Sequence, residues 1–272
     1  MSLLSSAIPC SQLRPYVRAY AYRKWETTDP AISEPVPPQL EQVLNFEFGL
    51  IPGVLHRRSA VRSQIWIGGA QTVFPGHLLL YPGVESFAIF FQPAGWSSLF
   101  RAPIYEFTNC IYDAPSVVGS EMRSLWNRLG ETSSFEKRVA ITEDFLVKKI
   151  SAAIDPDGIA DVVTYIFRRR GAVSVYGLAQ RESIGLRQFE RRFRQGTGIG
   201  PKTFARVARF QAAVDAKLAR PRRTWLDIAH TFGYHDQMHM VRDFRSLGLN
   251  TPSGLVIEMG DVRPPALAEA TL

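Results

Sequence analysis

The chain has 272 residues, is 46% hydrophobic and 21% charged, and carries a net charge of +7. That length and apolar content suggest about two domains with sizeable cores, and exclude a low-hydrophobicity disordered chain. Two cysteines, Cys10 and Cys110, exclude the dense disulfide framework of a small secreted domain, and no run of about 18 apolar residues reads as a membrane span.

Met1–Cys10 lacks the basic start and long apolar run of a signal peptide, so a cytoplasmic protein is expected, with no membrane partner. Between residues 12 and 25, Tyr16, Tyr20, Tyr22 and Trp25 interleave with Arg14, Arg18 and Arg23, as in a strand or short helix packed on a sheet. Pro30–Pro38 reads as a loop. Val43–Phe48 alternates by side like a strand, and Gly49, Pro52 and Gly53 mark a turn. Val54–Arg57, Ser63–Ile67, His77–Tyr81 and Ser86–Gln92 are further short strands, with Gly68-Gly69 as a break. Five or so strands at this spacing predict a small antiparallel sheet or barrel, whose mouth can enclose a small ligand.

Pro93-Ala94-Gly95 ends the strands and Trp96–Phe100 reads as a short helix. Residues 101–117 read as a loop. Gly119–Leu129 (Met122, Leu125, Trp126, Leu129) and Phe135–Ile150 (Phe135, Val139, Leu146, Ile150) then show helical spacing, with Thr142 interrupting the second stripe. This pair either mediates dimerisation or packs on its own domain. His56 and His77 have no metal-ligand spacing. A P-loop, a dinucleotide fingerprint and a nucleophile elbow are all missing from the sequence. No catalytic residue, metal or cofactor is expected, and Gly68-Gly69 reads as a turn.

From Gly158 to Leu255 there are 17 Lys+Arg against 7 Asp+Glu, while the remainder has 15 against 18. A basic module that meets a polyanion is thus joined to one that does not. Residues 151–158 read as a linker and Ile159–Arg169 as a helix ended by Gly171. Ser174 can cap a helix carrying Leu178 and Ala179, and Glu182-Ser183-Ile184 makes a turn. A second helix runs from near Gly185 through Arg194. Its inward positions are Leu186, Phe189 and Phe193; its outward stripe is Arg187, Glu190, Arg191 and Arg194. This is the pattern of a helix-turn-helix, whose second helix fits the DNA major groove.

The unit recurs about 50 residues on. Leu226-Asp227-Ile228-Ala229 matches Tyr176-Gly177-Leu178-Ala179, Gly233 supplies the turn and Asp236 the cap. Met240 and Phe244 point inward; Gln237, Met238, Val241, Arg242 and Arg245 point outward. In both units a proline, Pro201 or Pro252, lies eight residues after the phenylalanine. Lys202–Leu218 reads as one long helix between the units. Two recognition helices about 34 Å apart can enter successive major-groove segments on one face.

These residues carry a family resemblance. Residues 159–255 resemble the DNA-binding domain of AraC/XylS-type transcription regulators, through Ile228-Ala229, Phe232–Gln237, Phe244 and Gly248–Pro252 in the second unit and Pro201, Phe204, Arg209 and Ala213 in the central helix. Gly185 departs from the usual serine cap and Met240 from the usual aromatic. The resemblance implies an α+β protein. Its front half would be a cupin-like β domain with helices, and its back half an all-α bilobed double helix-turn-helix domain. Ile67–Thr72 and Phe90–Phe100 carry the front-half resemblance, which implies a sensor domain over residues 1–150. A tail is expected over 256–272.

By position, Arg187, Glu190, Arg191, Gln237, Met238 and Arg242 would face bases. Arg194, Arg206, Arg222, Arg223 and Arg245 would meet phosphates, with Gln188 and His239 as secondary DNA candidates. The expected partner is double-stranded DNA. RNA polymerase, a second copy of the chain and a small-molecule effector at the front half are candidates. Two rival readings remain. His235-Asp236-Gln237-Met238-His239 resembles the zinc-peptidase pattern His-Glu-x-x-His, although it has Asp for Glu and no later histidine. A DNA-modification or repair enzyme would borrow the basic domain for targeting, yet needs a catalytic cluster that the front half does not offer.

Overall fold

The computed structural model describes residues 3–26, 30–56, 63–100, 104–153 and 158–259. In chain order its strands are β1 (Leu3–Ala7), β2 (Val17–Lys24), β3 (Ile32–Val36), β4 (Gln42–Glu47), β5 (Gly53–His56), β6 (Ile65–Gly68), β7 (Gly76–Leu80), β8 (Glu85–Phe91) and β9 (Ile111–Asp113). One sheet has the order β1-β2-β8-β4-β6-β9 and a second the order β3-β7-β5, all antiparallel.

The alternation of β8 shows how the layers stack. Phe87, Ile89 and Phe91 are fully buried against helices, while Ser86, Ala88 and Phe90 line a cavity of about 230 Å³ between the two sheets. The strand whose residues alternate by side in the sequence is covered on both sides: all six residues of β4 are buried. Leu44 and Phe46 enter the helix-side core, and Val43 and Asn45 line the cavity.

The helices on the outer face are α1 (Gly95–Phe100), α2 (Ala114–Val118), α3 (Glu121–Gly130) and α4 (Phe135–Ile150). Met122, Leu125, Leu129 and Leu146 join the sheet core, so the stripe read as a dimer candidate is largely spent within the domain. Thr142, read as an interruption, is fully buried in α4. Arg138 of α4 is also buried. It pairs with Glu85 at 2.9 Å, donates to the carbonyls of Leu129 and Thr132, and lies 4.0 Å over the Phe48 ring.

Two loop expectations are corrected. Residues 32–36 form β3, paired in register from Ile32↔Leu80 to Val36↔Gly76. Proline is tolerated there because β3 is an edge strand, where a missing N–H removes no second ladder. Residues 104–118 hold a 3₁₀ turn (Ile104–Phe107), β9 and α2. Asp113 caps α2 by accepting from Ser116 N at 3.0 Å, with proline in the first turn. Arg57, residues 154–157 of the expected linker and residues 260–272 of the expected tail lie outside the described residues.

The rest is helical: α5 (Ile159–Arg168), α6 (Val175–Arg181), α7 (Leu186–Thr197), α8 (Pro201–Ala219), α9 (Trp225–Thr231), α10 (Gln237–Gly248) and α11 (Pro252–Met259). The last helix runs past residue 255, where the sequence reading ended the domain. Two residues of the front half, Leu40 and Ala70, are buried in the helical core. The halves also share hydrogen bonds: Leu40 N to Gln211 Oε1 (3.2 Å), Gln211 Nε2 to Glu41 Oε2 (2.7 Å), Phe74 N to Leu247 O (2.7 Å), Ser97 Oγ to Gly196 O and Thr108 Oγ1 to Gly198 O (both 3.0 Å). Glu41 is in turn paired with buried Arg18.

Candidate nucleic-acid interface

The two units repeat in local chemistry as well as in sequence. Ser174 caps α6 by accepting from Gly177 N at 3.2 Å; Thr224, fifty residues on, caps α9 by accepting from Asp227 N at 3.1 Å. The turns match too. Ile184 N donates to Ala179 O at 3.2 Å and Tyr234 N to Ala229 O at 3.0 Å. Each turn passes through one left-handed residue, Ser183 (φ 55°) or Gly233 (φ 69°). The second helices then differ at their starts. Gly185 gives α7 no side-chain cap, whereas Asp236 caps α10 through His239 N at 2.6 Å. That backbone hydrogen bond, with a further one from His235, holds the Asp236 carboxyl below the usual carboxylate range.

Both second helices are anchored on α8. Phe189 and Phe193 are fully buried, and Phe193 meets Phe204 edge-on at 5.2 Å. In the other unit Met240 and Phe244 are fully buried, and Phe244 lies 4.6 Å from Phe210. Arg209, also on α8, ties the units together. It donates to Gly171 O at 3.2 Å and Gly233 O at 3.4 Å, with its guanidinium 5.4 Å from the Tyr234 ring.

What the anchoring leaves outward is mostly the predicted stripe. Arg187, Gln188, Glu190, Arg191 and Arg194 are exposed on α7; Gln237, Met238, Arg242 and Arg245 are exposed on α10. Aligned on Phe193 and Phe244, Arg191 matches Arg242 and Arg194 matches Arg245. Leu186, read as inward, is instead 40% exposed. It is the first residue of α7, before the helix has turned its apolar face to the core.

The other candidates fall into two groups. Arg222 is exposed between α8 and α9. Arg206 is held by Asp243 of α10 at 2.8 Å, and Arg223 donates to Thr231 beside the Phe232 ring. His239 is half-buried. Its Nδ1 accepts from His235 N at 3.4 Å and its ring meets Tyr234 edge-on at 5.6 Å. The zinc-peptidase pattern is not assembled here. His235 precedes the cap and lies off α10, so the two imidazoles do not share a helix face, and the Asp236 carboxylate serves the cap. Among the described residues no cluster of three or more His, Cys, Asp or Glu could hold a metal. No described helix is long and apolar enough to cross a membrane.

Sequence reasoning used Tyr176 and Leu226 only to align the repeat. They sit in the first turns of α6 and α9 and are 62% and 49% exposed. The signal for a surface role was their equivalence across the two units, which burial alone reveals as shared exposure.

The family model that matches the chain describes a helix-turn-helix domain and covers residues 178–255. No curated protein matches the chain in sequence. Among solved structures, ToxT from Vibrio cholerae O395 is similar at 10% identity, over 96% of this chain and 98% of that one, with a TM-score of 0.47. Unsaturated fatty acid bound wild-type ToxT from Vibrio cholerae strain SCE256 is similar at 10% identity over 96% of each chain, with a TM-score of 0.45.

Proposed function

We propose that the chain is a DNA-binding transcription regulator of the AraC type that reads two adjacent major-groove segments with α7 and α10, which lie within the matched helix-turn-helix domain of residues 178–255. The observation that carries this is the pairing of buried anchors with exposed stripes on two helices fixed to one α8. Arg187, Glu190 and Arg191 face bases in one segment and Gln237, Met238 and Arg242 in the other. Arginine suits guanine edges, and the exposed Met238 suits a thymine methyl. Arg194, Arg222 and Arg245 take phosphates. Arg206 and Arg223 act indirectly, by setting the position of α10 and α9. Gln188 and His239 are secondary contacts.

The stripes are unequal, so one copy of the chain reads an asymmetric site. Residues 1–150 form the sensor half, 151–158 join it to the DNA-binding half, and the cavity between the sheets takes a small effector. The protein works in the cytoplasm, with RNA polymerase as the partner that turns occupancy into transcription. Selection of bound duplexes from a random pool tests the reading. An asymmetric site with two elements about 10 base pairs apart is expected, with affinity falling steeply as salt rises. Enrichment of no sequence would overturn it.

A further inference from the structure

A second recess, of about 610 Å³, lies where the front half meets α5, and it shares no lining residue with the cavity between the sheets. Its size falls within the roughly 300–1,000 Å³ of small-molecule sites. Both halves wall it. Arg14 and Arg18 come from the front half, and Phe167, Arg168 and Arg170 from the end of α5 and the turn after it. Among the described residues, four arginines line the recess and no Asp or Glu does. The four differ in what answers their charge. Arg18 is buried, paired with Glu41, and lies 5.5 Å from the centre of the Phe167 ring. The other three form no ion pair among the described residues. Arg14 is exposed and commits only Nε, to Pro9 O at 3.3 Å. Arg168 is exposed, and its guanidinium has no hydrogen-bond partner among the described residues. Arg170 lies 5.1 Å from the centre of the Phe232 ring. Packing the halves together thus gathers three unanswered cations around one hollow, and a hollow focuses the potential of its walls.

We propose that this recess is a binding site for a small multivalent anion, a phosphorylated or polycarboxylate molecule, held between Arg14 of the front half and Arg168 and Arg170 of the back half. Guanidinium groups suit both chemistries, because each can give two parallel N–H bonds to one phosphate or carboxylate. The apolar stretch of wall, with Val163, Phe167 and Ala94, takes the body of the ligand. No residue of α7 or α10 lines the recess, so the site is separate from the DNA-reading stripes. Because its cations come from both halves, the bound anion bridges them and stabilises their contact.

Calorimetric titration of the full chain with inorganic pyrophosphate, citrate and acetate, at fixed ionic strength, tests this. One pyrophosphate or one citrate is expected to bind per chain, at least ~10-fold tighter than acetate, and the tighter of the two tells a phosphoryl source from a carboxylate one. Arg14→Ala and Arg168→Ala should each weaken that binding by about 5-fold or more, as loss of a charged hydrogen bond implies. Thr164→Glu places a negative charge at an exposed position of the wall. It should abolish binding, and it serves if either arginine variant fails to fold by circular dichroism. The double variant Arg191→Ala, Arg242→Ala, which strips the DNA-reading stripes, should still bind the probe. Multivalent anions binding no tighter than acetate, binding untouched by Thr164→Glu, or binding lost with the stripe arginines would each overturn the proposal.

Discussion

Arg191 and Arg242 occupy equivalent places on α7 and α10, each two residues before a buried phenylalanine, Phe193 or Phe244, and each exposed. If both read bases, Arg191→Ala and Arg242→Ala should each relax preference in a different element of the site, at a cost of roughly 1–3 kcal/mol. Binding to variant duplexes measures this, and unchanged preference in both would remove them from the reading stripe. Buried Glu47 makes a separate prediction. Its folded carboxyl titrates at about 8, above the unfolded value, so the neutral form is the one that folding favours. The stability it contributes is present below the unfolded pKa and is lost as pH rises through the folded one. Between pH 5 and 8 the native protein should therefore lose at least ~1 kcal/mol that Glu47→Gln does not lose. Thermal melts at the two pH values compare them.

At the scale of the element, the C-terminal ends of the two second helices differ. Gly198 ends α7 in a left-handed conformation (φ 84°), where glycine costs nothing. Leu249 ends α10 in the same conformation (φ 58°) and is 54% exposed. Its side chain contributes little burial and carries the left-handed penalty of about 1–2 kcal/mol. Leu249→Gly should thus stabilise the protein by several tenths to about 1 kcal/mol, read as a raised midpoint in urea; a lowered midpoint would show that the leucine packs usefully. The helices were legible because their period and their repeat agree. Phe189, Phe193, Phe210 and Phe244 mark the inner face without ambiguity. The front half was less so. Pro35 and Pro37 disguised β3, whose edge position makes proline harmless. The alternation of β4 signalled a strand yet said nothing of a second sheet covering its other face. Short elements such as β9 and α2 carry too few residues to show a period.

For the whole molecule, the decisive contacts left no trace in the sequence pattern. Gln211 sits on the apolar face of α8, and only the folded chain shows its amide meeting Leu40 N and Glu41. A single polar side chain has no period. These contacts, with Leu40 and Ala70 in the helical core, should make the two halves unfold together. Near-ultraviolet and far-ultraviolet melts are expected to coincide in one transition. Gln211→Leu should lower stability by roughly 1–3 kcal/mol, since it strips a partner from two buried groups. Two well-separated transitions in the native chain would show the halves to be independent.

The same seam bears on exchange of parts between proteins. Leu40 and Ala70 belong by sequence to the front half and by packing to the back, so a cut at residues 151–158 does not divide the molecule where its core divides. A hybrid that sets a foreign front half on this DNA-binding half would leave a hole where those two side chains sat and an unanswered amide at Gln211. Grafting would succeed only if the donor supplied a small and a branched apolar residue, and a carboxylate, at the same places on the seam.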